Sequence, residues 1–176
     1  IALMGIGQRD EAFSEAKRAI ELDPNDAHAY VALGNIDSSM RRYSEAIRAY
    51  KQAASLDPNY LSADVNLGLA YWTTARYPES AEAFQQALHI DPNNVTALNG
   101  LGIAQFHMGQ REQGIQSVKQ AVKVNPGFVD GHLNLARWYH GMGRYEEAAA
   151  ACVGGRQAAA ADVHLHRVDA RVGVRT

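Results

Sequence analysis

The sequence predicts an all-α solenoid of antiparallel helix pairs, and three observations carry that prediction. Five residue series recur with a period of 34. The apolar positions between them follow steps of three and four, as an amphipathic helix requires. Small residues stand wherever two paired helices would cross. One series is Asp23-Pro24, Asp57-Pro58, Asp91-Pro92 and Asn125-Pro126. A second is Leu33-Gly34, Leu67-Gly68, Leu101-Gly102 and Leu135-Ala136, and a third is Ala19, Ala53, Ala87 and Ala121. Arg9, Tyr43, Tyr77, Arg111 and Tyr145 form the fourth; each precedes, by three, the fifth series Ala12, Ala46, Ser80, Gly114 and Ala148. No insertion or deletion disturbs the period, so one structural unit is repeated along the chain.

Taken in order, residues 1–26 read as the C-terminal part of a preceding repeat, with Ala12, Ala19 and Pro24 in phase. Full repeats follow at 27–60, 61–94 and 95–128, and 129–152 opens a partial or degenerate one. Helices are expected over about 27–40, 43–56, 61–74, 77–90, 95–108, 111–124 and 129–142. The short turn at Arg41-Arg42 forces its flanking helices antiparallel, and glycine occupies that turn at Gly7, Gly109 and Gly143. Each Asp-Pro or Asn-Pro pair ends a second helix, because proline disfavours the α conformation of the residue before it. Asn25, Asn59 and Asn93 then offer polar side chains near the next helix start. Pro78 falls in a first helical turn, where its missing N–H costs little. Gly34, Ala46, Gly68 and Ala87 are expected buried at helix contacts. After Cys152 the pattern is lost: Gly155 takes the place of the packing alanine. Residues 153–176 read as a divergent tail, either disordered, an out-of-frame stretch, or a frayed final helix.

Composition narrows the function. The chain has 176 residues, 47% apolar and 20% charged, an ordinary mixture for a folded protein. A net charge of −2 argues against a sequence-independent nucleic-acid binder. No apolar stretch approaches the roughly 18 residues of a membrane span. The lone Cys152 excludes an intrachain disulfide. No signal peptide is visible, so a cytoplasmic location is expected. The chain opens on Ile1 rather than Met, so a targeting segment could have been cut away, and the chain is expected to be a fragment of a larger one.

The series Leu67, Gly68, Tyr71, Tyr77, Phe84, Ala87 and Pro92, and the series Tyr30, Leu33, Gly34, Tyr43, Ala46, Tyr50, Ala53 and Pro58, resemble the tetratricopeptide repeat (TPR) family. The resemblance covers about 150 residues. It implies a right-handed superhelical array whose first helices line a concave face that holds partner peptides. In the third repeat Gln105, Gly114 and Val118 depart from the family pattern, so looser packing is expected there.

No residue set points to catalysis, so the chain is read as a non-enzyme without metal or cofactor. His164 and His166 lack a third ligand at helical spacing. His28, His107 and His140 fall on different repeats. Cys152 occupies the repeat position of Tyr50 and Phe84 and is read as a packed thiol. Gly100-x-Gly102 has no strand before it, so it is no dinucleotide motif.

Projecting the repeat phase onto the concave face gives the candidate peptide-binding residues Asn35, Val65, Asn66, Leu69, Asn99, Ile103, Leu133, Asn134 and Arg137. Val31 belongs to the same projection. Asp130 and Arg137 supply the face's charge, so weak binding with shallow salt dependence is expected. Asn35 and Asn66 match the asparagines of the chaperone-tail clamp of some family members, but Val31, Thr96 and Gly100 stand at its basic positions. Asn66 and Asn134 resemble the asparagine ladder in the repeats of O-linked glycosyltransferases, interrupted here by Ala32 and Gly100. An amide can pair with any peptide backbone through its donor and its acceptor. The resulting expectation is an interaction scaffold holding an extended peptide or helix. The alternative is a substrate-recruiting arm of a larger enzyme such as a glycosyltransferase. Partners are protein or peptide rather than nucleic acid or membrane, with self-association through exposed repeat ends as a further expectation.

Overall fold

A computed structural model describes the backbone of residues 2–172 and the side chains of residues 10–160. Among these residues the elements are α1 (Ala2–Leu22), α2 (Ala27–Ser39), α3 (Tyr43–Leu56), α4 (Leu61–Thr73), α5 (Tyr77–Ile90), α6 (Val95–His107), α7 (Arg111–Val124), α8 (Val129–Gly141) and α9 (Tyr145–Val172), with no strand. They group into two compact units, one ending at Pro92 and one beginning at Asn93. The first unit holds α1 to α5 and the second α6 to α9.

The helix ends follow from backbone chemistry. Each first helix stops one residue before the expected boundary because the following turn needs a left-handed residue. That residue is Arg41 (φ 61°), Ala75 (φ 57°), Gly109 (φ 81°) or Gly143 (φ 75°). Only glycine takes this conformation without a steric cost, so Arg41 and Ala75 hold it at the expense of the surrounding packing. Second helices end in a side-chain turn over the proline. Asp23 accepts a hydrogen bond from the Asn25 N–H, Asp57 from the Asn59 N–H and Asn125 from the Gly127 N–H, at 2.9–3.0 Å. The expected role of Asn25, Asn59 and Asn93 beside the helix start shifts by one residue. The N-caps are Asp26, whose carboxylate accepts from the His28 N–H, and Asn94, whose amide oxygen accepts from the Ala97 N–H. Pro78 sits in the first turn of α5.

The paired helices cross where the small residues fall. Ala46, Ala53, Ala87 and Ala121 have no exposed surface, and Gly34 and Gly68 are buried. A Cβ on Gly34 would stand 2.5 Å from the Tyr50 ring, and one on Gly68 would stand 2.8 Å from the Phe84 ring. Each aromatic ring therefore lies on the bare backbone of its glycine. In the third repeat Val118 replaces the ring and Gly114 the alanine. The pairing there is tight rather than loose: a Cβ on Gly114 would be 2.5 Å from the Gly102 carbonyl oxygen. Gln105, in place of an aromatic, accepts a 2.8 Å hydrogen bond from the Ser117 hydroxyl, so its polar end is satisfied.

The last repeat completes its second helix. α9 runs through Cys152 to Val172, across the stretch where the sequence pattern is lost. Gly154 and Gly155 lie against His132 of α8, and a Cβ on Gly154 would stand 2.5 Å from the imidazole. The ring thus requires glycine at position 154, whereas Gly155, in place of the packing alanine, would bring a Cβ to 3.2 Å from the His132 Cβ. Ala148, Ala151 and Ala158 continue the buried stripe. Cys152 is exposed, contrary to its expected packed position, and lines a shallow apolar depression with Val129, Leu133 and Val153. In the repeat phase Ala136 takes the position of Gly34, Gly68 and Gly102. His164 and His166 lie on α9, with their side chains outside the described residues. Among the described residues no helix is long and apolar enough to cross a membrane, and no cluster of His, Cys, Asp or Glu could hold a metal.

Candidate functional site: two amide pairs and a cationic cleft

In the first unit, α2 and α4 bring Asn35 and Asn66 together. The Asn66 amide donates to the Asn35 carbonyl oxygen at 3.1 Å, and the Tyr50 hydroxyl donates to the same oxygen at 2.8 Å. Tyr50 is 3% exposed, and burial pushes its phenol up to about 12, so it stays a donor at any ordinary pH. Val65 is half-buried beside Asn66, and Leu69, one turn on, is 40% exposed. Val31 points into the core of this unit, packed with Ala46, Tyr50 and Leu67, and leaves the projected face.

In the second unit, α6 and α8 repeat the arrangement. The Asn134 amide donates to the Asn99 carbonyl oxygen at 3.0 Å. Ile103 packs partly into the core of the unit, whereas Leu133 is 50% exposed. The donors Asn66 and Asn134 occupy one repeat position, immediately before leucine. The acceptors Asn35 and Asn99 stand one turn apart in the repeat frame, so periodicity alone does not align them. Each pair leaves one amide nitrogen (Asn35, Asn99) and one amide oxygen (Asn66, Asn134) without a hydrogen bond among the described residues.

Arg137 makes no ion pair with Asp130. It lines a cleft of about 400 Å³ with Phe106 and His107 of α6, Arg111 of α7, Trp138 and Gly141 of α8, and Met142. Phe106 and Trp138 stack face to face, 4.2 Å between centroids and 6° apart in plane. Arg111 was missed as a site residue, although the sequence carries a signal: it breaks the series Tyr43, Tyr77 and Tyr145. The partnership of Phe106 with Trp138 has no such signal, because it joins two different helices.

A few other charged groups act within the packing. Arg144 joins Glu112 of α7, at 2.8 Å, to Glu147 of α9 and lies over the Tyr139 ring. Asp37, 4% exposed, pairs with Arg42 at 2.8 Å, but burial outweighs that partner and raises its carboxyl above the usual range. Asp64, 7% exposed, has no ion-pair partner among the described residues, and burial raises its pKa as well.

The fold and these faces define a helical-repeat protein of the kind built from antiparallel pairs. The tetratricopeptide repeat family model matches residues 32–95 and 99–163, and the chain belongs to that family. Its members are generally protein-interaction scaffolds. Among solved structures, MamA superposes with a TM-score of 0.83 at 22% identity, covering 92% of this chain and 94% of that one. PilF of Pseudomonas aeruginosa gives a TM-score of 0.78 at 19% identity, covering 89% of this chain and 72% of its own. YrrB, described as a TPR protein with an unusual peptide-binding site, gives 0.73 at 19% identity, covering 89% and 81%. At these identities the likeness is one of fold. No curated protein matches the chain.

Proposed function

We propose that the chain is a non-enzymatic binding module that holds an extended peptide on the first helices of its pairs. The observation that carries this reading is the pair of amide couples. Asn35 with Asn66, and Asn99 with Asn134, each present one unengaged donor and one unengaged acceptor, the complement of one peptide unit. Their mutual hydrogen bonds fix both amides before a ligand arrives, which lowers the ordering cost of binding. Leu69 and Leu133, exposed on the same helices, supply apolar contact. The peptide-binding site described for YrrB is a precedent in this fold.

A display screen of random peptides against the chain tests the reading. Selected peptides should lose about 1–3 kcal/mol of affinity when Asn66→Ala and Asn134→Ala are combined. A screen that selects nothing, or peptides indifferent to that double replacement, overturns it.

A further inference from the structure

The cleft in the second unit has a charge that its own surroundings do not neutralise. Arg111 and Arg137 both line it, both are exposed, and neither guanidinium has an ion pair or a hydrogen bond among the described residues. No aspartate or glutamate contributes to the lining. The acidic neighbours are occupied or distant. Glu112 follows Arg111 in sequence but is held by Arg144 at 2.8 Å, and Arg144 also takes Glu147. Asp130 lies seven residues before Arg137 on α8, about 10 Å away along the axis. The C-terminal ends of α6 and α8 bring partial negative charge, about half a unit each, and the N-terminus of α7 brings a similar positive one. Two full guanidinium charges outweigh that remainder. Beside them lies an apolar wall of Phe106, Trp138 and Met142, and the Gly141 position opens onto free space, with no atom within 4 Å of where its Cβ would be.

We propose that this cleft is a subsite for an acidic side chain of a bound peptide, with an apolar neighbour of that residue lying against the Phe106–Trp138 wall. This rests on the reading of the chain as a peptide binder and assigns the ligand chemistry at one place on it. Guanidinium groups match a carboxylate in shape and in donors, and an unpaired pair of them gains charge-assisted hydrogen bonds when one arrives. A nucleobase fits less well. Phe106 and Trp138 each give one ring face to the other, and Trp138 is only 8% exposed, so no open indole face is offered for stacking and the half-buried Phe106 ring alone remains. The subsite also alters the expected salt dependence: a neutral groove binds independently of salt, whereas a ligand seated here should weaken as salt rises.

Trp138 is a built-in reporter, once Trp72 on the first unit is replaced by phenylalanine. The probe is the capped peptide Ala-Leu-Glu-Glu-Leu-Ala, compared with its Gln-Gln counterpart. The glutamate peptide should perturb Trp138 fluorescence and bind about tenfold more tightly than the glutamine peptide at low salt. That preference should vanish in Arg111→Gln/Arg137→Gln, whose exposed sites leave the fold intact by circular dichroism. Equal binding of the two peptides, or a preference that survives the double replacement, overturns the subsite. If both peptides then still respond to Asn66→Ala/Asn134→Ala, the peptide-binding reading stands without it. If neither peptide binds and the display screen is also empty, both fall. A response to ATP or to a single-stranded oligonucleotide, lost in the arginine variant, with none to the glutamate peptide, would overturn the peptide assignment in favour of a phosphate ligand.

Discussion

The crossing of α4 with α5 and the crossing of α6 with α7 solve one problem with different parts. In the first, Gly68 faces Ser80, whose buried hydroxyl donates to the Gly68 carbonyl oxygen at 2.8 Å, and the Phe84 ring covers the glycine. In the second, Gly102 faces Gly114, and Val118 stands where the ring was. Both crossings are closed, since Phe84, Ser80, Val118 and Ile115 have no exposed surface. The difference shows that the backbone separation adjusts to the side chains available. A ring and a hydroxyl hold the first pair at one spacing. Removing both lets the second pair close until backbone nearly meets backbone. Interiors fill to a common density, so smaller residues give a closer approach rather than a void.

The largest effect should come from removing the ring. Phe84→Ala is expected to destabilise by about 3–5 kcal/mol and Val118→Ala by about 1–3 kcal/mol, because a closer pair has less volume to lose. Equal losses in thermal or urea melts would show that the two crossings are not differently filled.

Next in size is Gly114→Ala. Its Cβ would meet the Gly102 carbonyl oxygen at 2.5 Å and the Phe106 backbone nitrogen at 3.0 Å, and neither can rotate aside. A loss of about 1–3 kcal/mol is expected, exceeding the gain of up to about 1 kcal/mol in helix propensity. A melt of Gly114→Ala at or above the parent would mean that the close approach is relaxed at no cost.

The first unit also carries a burden without a counterpart among the described residues of the second. Asp64 is buried without a cation, and its folded-state pKa lies above the ordinary 3.8. The folded state therefore favours the protonated carboxyl. That stabilisation is complete below pH 3.8 and is lost as pH rises through the raised pKa. Asp64→Asn should raise the melting midpoint by about 2–4 °C at pH 7, with the gain shrinking toward zero in acid. A gain independent of pH would place its origin elsewhere.

How much of this was legible in the sequence differs by kind of feature. The 34-residue period, the helix pairing from α2 to α8 and the burial of Gly34 and Gly68 could all be read from it, whereas the turn expected at Gly7 is not formed, since α1 runs unbroken from Ala2 to Leu22. The seven expected helices lie within a residue of the observed ends. These properties depend on steps along one helix, and side-chain direction there follows from the backbone period alone. Candidate residues on the first helices were likewise placed by phase, and Asn66 and Asn134 lie on the donor side of real amide pairs.

Tertiary structure decided the rest. Asn66 pairs with Asn35 from 31 residues away, while Asn134 pairs with Asn99 from 35, so the same bond is made across two registers. Arg111 meets Arg137 in one cleft although they belong to different repeat positions. Val31 turned inward, and Cys152 turned outward. Such outcomes depend on how closely two helices approach and which side chains fill the space between them. A period records where a residue stands on its own helix; the volume of its neighbours on another helix decides what it touches.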